Sequence, residues 1–335
     1  MDKLDCKSFR KHLDQMLGEN DIDTVVVLSH VNADGDAAGS VLSLSHYLNE
    51  IYPNIKVIPY LSEVERGVGK IVLEDEIFKD VFTFPTLDKE YIAIAVDTAT
   101  EERIAGNSLF VSAKDTIQID HHLQNEEYAD VNYIEFREAC AENIYSIIDW
   151  DELLEKGAKT ETVFMIAQYL YLGIVTDTGC FKRSDKITFD IASHLLSLGV
   201  KHKKVVRATM SSTMDELRRQ NSLIDKVKSA SNGDVTYVYM KQDEMCKRNY
   251  TYHDLHKLPD LLRELEGVKI AFVLFPEENG LYKCSMRSKE HDINEFLSSF
   301  IAGGGGHRNA TSFKICTDDP DTVLENLLDA LESIL

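Results

Sequence analysis

The sequence predicts a mainly parallel, doubly wound α/β domain followed by a smaller α/β domain, with a cleft between them. Three observations carry this. The runs TVVVLSH (24–30), YIAIAVD (91–97) and TIQIDHH (116–122) are apolar nearly throughout, which suits strands covered on both faces. Between the first two lie a helical stretch, DAAGSVLSLSHYLNEIY (36–52), and a further strand run, KVIPYL (56–61), the alternation of βαβ units. After SNGD (231–234), the runs VTYVYM (235–240), VKIAFVLF (268–275) and LYKCSMRS (281–288) begin a second set of strands.

Helical patterns follow the third strand run at 140–156 and 160–175, the latter running into GIVTDTGCF (173–181). From about 187 to 230 the text is helical and charged and reads as a connector. INEFLSSFIAGGGGHRNATSFKI gives a helix, a glycine loop and a strand, and DTVLENLLDALESIL an acidic closing helix. The expected organisation is a catalytic domain over 1–195, a helical connector over 196–230 and a substrate-binding domain over 231–335. A chain of 335 residues with 44% hydrophobic composition supports two cores, since single cores rarely outgrow about 250–300 residues.

The net charge of −21 argues against a surface that grips long nucleic acid, which needs clustered Lys and Arg. It leaves room for a short anionic substrate in a locally compensated pocket. Cysteines 6, 140, 180, 246, 284 and 316 form no C-x-x-C pair, so reduced thiols are expected. The first residues, MDKLDCKSFRKHLDQML, lack an apolar signal core, and no segment reaches the roughly 18 apolar residues of a membrane helix. A cytoplasmic protein without membrane association is the expectation.

His30, Asp97 and Asp120 to His122 all fall at the end of an apolar strand run. In open parallel sheets ligands bind outside the carboxyl ends of the strands. The candidate metal ligands are His30, Asp34, Asp36, Asp97, His121 and Asp177. Singly they are weak: D-G-D is commonly a solvated turn, Asp97 before Thr98 is also a helix-cap pattern, paired histidines are often half-buried surface residues, and Asp177 in TDTG suits a turn. Together, four carboxylates converging without cations would repel one another. Two divalent cations cancel their charge, and two neutral imidazoles complete the coordination. Such mixed sets suit Mn²⁺ and tolerate Mg²⁺, Co²⁺ or Fe²⁺, whereas the lack of thiolates argues against structural zinc. Two metals about 3.5–4 Å apart bind a phosphate, lower the pKa of a water between them and stabilise the leaving oxygen. The chemistry indicated is phosphoester hydrolysis.

HVNADGDAAGS, VDTAT, IDHH and GIVTDTGCF resemble the four signature segments of the DHH phosphoesterase superfamily. CSMRS with FIAGGGGHRNA resembles the glycine-rich signature of the DHH-associated C-terminal domain. Within the superfamily the chain is most similar to the stand-alone nanoRNase and 3′-phosphoadenosine-5′-phosphate (pAp) phosphatase group. The resemblance implies one metal held by His30, Asp34 and Asp97 and a second by Asp36, Asp97, His121 and Asp177, with Asp97 bridging and manganese the usual ion. It implies that Asp120 orients an imidazole and that His122 contacts the scissile phosphate or protonates the leaving oxygen; a structural hydrogen bond is the alternative for His122. In the second domain it implies a grip on substrate by Gly303, Gly304, Gly305 and Gly306, by His307 and Arg287, and by Ser288. FKRSDKIT (181–188) departs from the Arg and Thr-rich turn of relatives, with Lys182 in the arginine place.

The expected activity is hydrolysis of short 5′-phosphorylated oligoribonucleotides of two to five residues, above all pApA, to nucleoside 5′-monophosphates, and of pAp to AMP. Attack on phosphorus by a hydroxide held between the two metals is the expected step. The alternative is a cyclic di-AMP phosphodiesterase. A pyrophosphatase or exopolyphosphatase and a non-catalytic nucleotide sensor rank below it. The partners are short oligonucleotides or nucleotide phosphates; a homodimer is compatible with the sequence, which does not fix the assembly.

Overall fold

The computed structural model describes residues 5–19, 22–122, 125–155, 158–248, 250–251, 254–255, 258–277, 280–301 and 305–335. The chain divides into two compact units, Met1–Ser211 and Ser212–Leu335.

The first unit carries α1 (Cys6–Glu19), β1 (Thr24–Leu28), α2 (Gly35–Ile51), β2 (Lys56–Pro59), α3 (Arg66–Val72), β3 (Ile92–Val96), α4 (Asn107–Val111), β4 (Asp115–Asp120), β5 (Val131–Ile134), α5 (Cys140–Ile147), α6 (Trp150–Glu155), α7 (Thr160–Asp177), α8 (Lys186–Ser197) and α9 (His202–Met210). Its five strands form one sheet in the order β2-β1-β3-β4-β5, parallel throughout. Successive side chains of a strand point to opposite faces, and the core follows that period. Val25, Val27, Ile92, Ile94, Ile117 and Ile119 pack with α1, α2, α5 and α7 on one face. Val26, Leu28, Ala93 and Ala95 pack with Leu109 and Phe110 of α4 on the other. Because both faces are covered, the strands read as unbroken apolar runs.

Close approach of α2 and α7 positions the site. A Cβ on Gly39 would lie 2.4 Å from the Tyr169 carbonyl oxygen, and one on Gly173 would lie 2.6 Å from Asp36 Oδ1 and 2.7 Å from the Ala141 Cβ. Only glycine allows that spacing, which brings the start of α2 against the last turns of α7 and the first turn of α5. The helix read over 160–175 runs on to Asp177, and the one read over 140–156 is two helices broken at Ile148 and Asp149. β5, with only four residues and a half-buried face, carried too short a pattern to be read.

The second unit holds α10 (Met214–Ile224), β6 (Lys228–Ala230), β7 (Val235–Tyr239), α11 (Gln242–Arg248), α12 (Leu258–Arg263), β8 (Ile270–Pro276), β9 (Leu281–Ser288), α13 (Ile293–Phe300), β10 (Gly305–His307), β11 (Ala310–Cys316) and α14 (Pro320–Glu332). The sheet order is β10-β11-β9-β8-β7-β6, antiparallel except for β7 beside β8. Phe272 and Leu274 pack under α13 and α14 on one face; Val273 and Phe275 pack on Leu258, Leu262 and Leu223 on the other.

Of the stretch read as a connector, α9 buries Val205 in the core of the first unit and α10 buries Leu223 in the second. The glycine loop also differs from its reading. Gly305, Gly306 and His307 pair with Ser312, Thr311 and Ala310 as a short edge strand, because Arg308 and Asn309 turn the chain back onto an open ladder. Gly303 and Gly304 lie outside the described residues. Among the described residues no helix is long and apolar enough to cross a membrane.

Candidate metal centre

Each candidate ligand is delivered by an element end. His30 follows β1, Asp34 caps α2 and Asp36 opens its first turn. Asp97 follows β3, His121 follows β4, and Asp177 is the last residue of α7. The carboxyl edge of the sheet and two helix ends therefore meet at one place. Three groups have ligand atoms all within 4.8 Å of one another: His30, Asp34 and Asp97; Asp36, His121 and Asp177; and Asp97, Asp120, His121 and His122.

Backbone groups fix the orientation of these side chains. Asp34 spends Oδ1 on the amides of Asp36 (2.9 Å) and Ala37 (3.1 Å), capping α2 and leaving Oδ2 for a cation. Asp36 is 1% exposed. Its Oδ2 accepts from the Cys140 amide at 2.6 Å and its Oδ1 from the Ala141 amide at 2.9 Å, at the N-terminus of α5, where unpaired amides favour a carboxylate. Asp97 has a left-handed backbone, φ +52°, an uncommon state for a non-glycine residue and typical of functional sites.

The imidazoles are held just as firmly. A carbonyl oxygen only accepts, so His30 Nδ1, 2.8 Å from the Val31 carbonyl, and His121 Nδ1, 3.0 Å from that of Arg137, must each donate. Neutral rings then present the Nε2 lone pair inward. His30 Nε2 lies 3.6 Å from Asp97 Oδ2. His121 Nε2 lies 3.3 Å from Asp97 Oδ1, 3.8 Å from Asp177 Oδ2 and 3.9 Å from Asp36 Oδ2. Lone pairs aimed at carboxylate oxygens are tolerable only with positive charge between them. Asp97 Oδ1 shows the same demand, being buried and accepting no hydrogen bond among the described residues, a costly state. The donor set, four carboxylates and two Nε2 atoms without thiolate, fits hard or borderline divalent cations.

The acid–base behaviour of the cluster points the same way. Burial, with the charges of Asp97 and Asp177 added, pushes Asp36 well above the usual carboxylate range. Burial likewise raises Asp177 to about 6 against the pull of His121, with the charges of Asp34 and Asp97 adding to the rise. Burial opposes the charge on His30, but its contact with Asp97 and the field of Asp34 lift it to about 9. His121 rises against its burial for the same reason. Burial also opposes ionisation of Asp97, yet His121 and His30 hold it well below the carboxylate range. The cluster takes up protons wherever it lacks other cations.

Asp120, fully buried, accepts from His122 Nδ1 at 2.8 Å and, on its other oxygen, from Asn125 Nδ2. Asn125 is turned by Gln118, whose Nε2 donates to Asn125 Oδ1 at 2.7 Å. Asn143 Nδ2 bridges the carbonyls of Asp120 and Glu135. The readings from sequence had not included Gln118, Asn125, Asn143 or the amides of Cys140 and Ala141. The one available signal was polarity out of place, Gln118 within an apolar strand; backbone donors leave none.

In the second unit Arg287, Ala310 and His307 stand in one row across β9, β11 and β10. Arg287 Nε donates to Asp260 Oδ1 at 3.1 Å. Ser288 is buried; its hydroxyl donates to the His291 carbonyl at 2.5 Å and accepts from Asn309 Nδ2 at 2.9 Å, so it supports the turn that follows β9.

Residues 24–174 match the DHH family, N-terminal domain, and residues 232–335 match the DHHA1 domain. An uncharacterised protein of Mycoplasma genitalium, MG371, is 30% identical over 317 residues, 92% of this chain and 89% of its own. The bifunctional oligoribonuclease and PAP phosphatase NrnA of Bacillus subtilis is 27% identical over 309 residues, 91% of this chain and 94% of its own. Among solved structures, an exopolyphosphatase-related protein from Bacteroides fragilis has the same fold. Its TM-score is 0.78 at 21% identity, covering 99% of this chain and 98% of that one.

Proposed function

The chain belongs to the DHH family of phosphoesterases and carries a DHHA1 domain, and from that premise we propose that it hydrolyses short 5′-phosphorylated oligoribonucleotides, dinucleotides such as pApA first, to nucleoside 5′-monophosphates, and splits pAp into AMP and phosphate. The observation that carries the reading is the gathering of six candidate ligand side chains at one edge of the sheet, among them Asp97, whose buried Oδ1 accepts no hydrogen bond among the described residues. The likeness to a relative named for oligoribonuclease and PAP phosphatase activity supports the substrate class. The net charge of −21 favours short substrates over long strands, which need a basic track.

His30, Asp34 and Asp97 would hold one divalent cation and Asp36, Asp97, His121 and Asp177 the other, with Mn²⁺ the ion best suited to the set. When bound, such a pair neutralises phosphate charge and acidifies water at neutral pH. The protein's own groups do the rest. The Cys140 and Ala141 amides aim Asp36, and the Val31 and Arg137 carbonyls keep each Nε2 of His30 and His121 inward. Water adds its oxygen to phosphorus, giving up a proton to solvent, and the P–O3′ bond breaks. O3′ leaves with the bonding pair and takes a proton from His122 Nε2, the general-acid role. Asp120 stabilises the charged ring through Nδ1. In pAp the same O3′–P bond is cut, so one geometry serves both substrates. Arg287, His307, Ser288 and the glycines 303–306 are proposed to supply the grip on substrate in the second unit.

The test is to incubate the chain with Mn²⁺ and, in parallel, pApA, a five-nucleotide RNA, pAp, cyclic di-AMP and pyrophosphate. Fastest turnover of pApA and pAp, with AMP as product, is expected. Preference for cyclic di-AMP would replace the reading with the cyclic dinucleotide one. Tight nucleotide binding without turnover of any substrate would leave a sensor.

A further inference from the structure

A cavity of about 410 Å³ opens in the first unit, walled by the 135–138 loop, Glu142, Asp185 and Ile187. Its walls continue the backbone that fixes the metal ligands. The Arg137 carbonyl holds His121, and the Glu135 amide donates to the Asp120 carbonyl at 3.1 Å. Glu142 lies in the first turn of α5, whose leading amides hold Asp36. Asp185 caps α8, the helix that follows the turn after Asp177. The cavity therefore sits beside the metal centre at the carboxyl edge of the sheet.

Its lining is mixed in a particular way. Phe136 is 60% exposed and Ile187 44%, which gives flat and branched apolar surface open to solvent. Glu142 is only 1% exposed. Its Oε1 accepts from Thr188 Oγ1 at 2.7 Å, while its Oε2 takes no hydrogen bond among the described residues. Burial raises this carboxyl to about 7. Glu135, Glu138 and Asp185 add acceptors around a single cation, Arg137. Such a lining repels phosphate, which has cations to go to next door. It suits a flat, uncharged group that carries N–H donors. A metal ion is the poorer fit, because Arg137 already brings positive charge and two apolar side chains offer it nothing.

We propose that this cavity is a nucleobase subsite, in which a base of the substrate stacks on Phe136 and its amino edge is read by Glu142. The inference rests on the nucleotide reading above and adds a selectivity to it. Adenine, guanine and cytosine present an exocyclic amino group, whereas uracil presents carbonyl oxygens on either side of its one N–H. An acceptor-rich wall therefore favours amino-bearing bases over uracil, and stacking favours purines.

The test is equilibrium binding of pApA and pUpU to the full chain by calorimetry, with Ca²⁺ replacing Mn²⁺ to slow turnover. The wild type is expected to prefer pApA. Loss of base–aromatic stacking in Phe136→Ala should weaken pApA binding about five- to a hundred-fold. Glu142→Gln keeps the shape and adds a donor, and should narrow the preference for pApA over pUpU. Equal binding of the two dinucleotides by the wild type, or unchanged pApA binding in Phe136→Ala, overturns the subsite. So does a Mn²⁺ equivalent beyond the two of the metal centre that Glu142→Gln removes while pApA binding stays as in the wild type. Preferred binding of pApA without its hydrolysis would sink the proposed activity and leave the subsite standing.

Discussion

The two units commit their polar residues in opposite ways. The first gathers four carboxylates against only two imidazoles, an excess of negative charge, and spends backbone groups on aiming them. In the second, Arg287 already holds Asp260 and Ser288 already serves a turn, and the remaining candidates among the described residues, Gly305, Gly306 and His307, form an edge strand. A site built for cations is recognisable by the negative charge it gathers in excess. A site built from backbone and from paired residues shows no such excess. Substitutions in the metal centre of the first unit should therefore act on turnover, and those in the second unit on affinity.

The largest effect is expected at the point where the ligand groups join. Asp97→Ala removes the carboxylate common to the two proposed metal positions, and turnover of pApA should fall to background with metal content reduced while circular dichroism stays near wild type. Retained activity would end the bridging assignment. Chelation should show the same dependence without mutation. Asp177 is raised in the folded state to about 6 and His30 to about 9. A raised pKa means that the folded protein holds the proton longer, so stability is greatest below the unfolded values and is lost as pH rises through the folded ones. For Asp177 that window runs from 3.8 to about 6, and for His30 from 6.5 to about 9. The melting temperature of EDTA-treated protein should thus fall as pH rises through these windows. Mn²⁺ should raise it more at pH 8 than at pH 6, since the cation replaces protons already gone. A stabilisation that is larger at pH 6 would contradict the charge argument.

This contrast also governs what the sequence could reveal. The fold class and the strand runs at 24–30, 91–97 and 116–122 were legible because burial on both faces leaves a continuous apolar pattern. The ligand segments were legible because charged residues at strand ends are rare without a purpose. β5 and β6 were not, having four and three residues. Gly39 and Gly173 gave no warning that they set the spacing of α2 and α7, because a close approach is a property of two helices together. The amides that hold Asp36 come from residues 140 and 141, more than a hundred positions away, and any residue but proline supplies an amide. Half of the glycine segment turned into strand because pairing with β11 overrode the freedom of Gly305 and Gly306.

Two further substitutions grade the first unit internally. His122→Ala should lower kcat by about 10²–10⁴, the usual contribution of general acid catalysis, with the metal content unchanged. Loss of metal in that variant would move His122 among the ligands. Asn125→Ala leaves Asp120 with one partner fewer and should cost about 10–100-fold, as outer partners of such sites commonly do. Because Asn125 touches Asp120 and not the ligand cluster, its effect should lie in kcat rather than in KM. A change in KM alone would place Asn125 against substrate.

The smallest expected effect, and the sharpest for the comparison, lies at Arg287. Its guanidinium is paired with Asp260, which Arg263 also approaches, Nη2 lying 3.5 Å from the same carboxylate oxygen. Removing Arg287 therefore leaves Asp260 with a second cation nearby, and Asp260 is 41% exposed at its side chain. The ion pair itself should contribute about 0–1 kcal/mol, since its Asp260 end is open to solvent and Arg263 stays close. If Arg287 also holds a substrate phosphate, Arg287→Ala should raise KM for pApA about ten-fold, the equivalent of 1.4 kcal/mol, with kcat nearly unchanged. Arg287→Lys separates the two roles. Lysine keeps a point charge for Asp260 but loses the planar fork that binds phosphate through two parallel donors. A rise in KM in both variants, at unchanged melting temperature, marks a substrate contact. An unchanged KM in both leaves Arg287 as an ion pair of the fold, and the grip of the second unit then falls to its backbone.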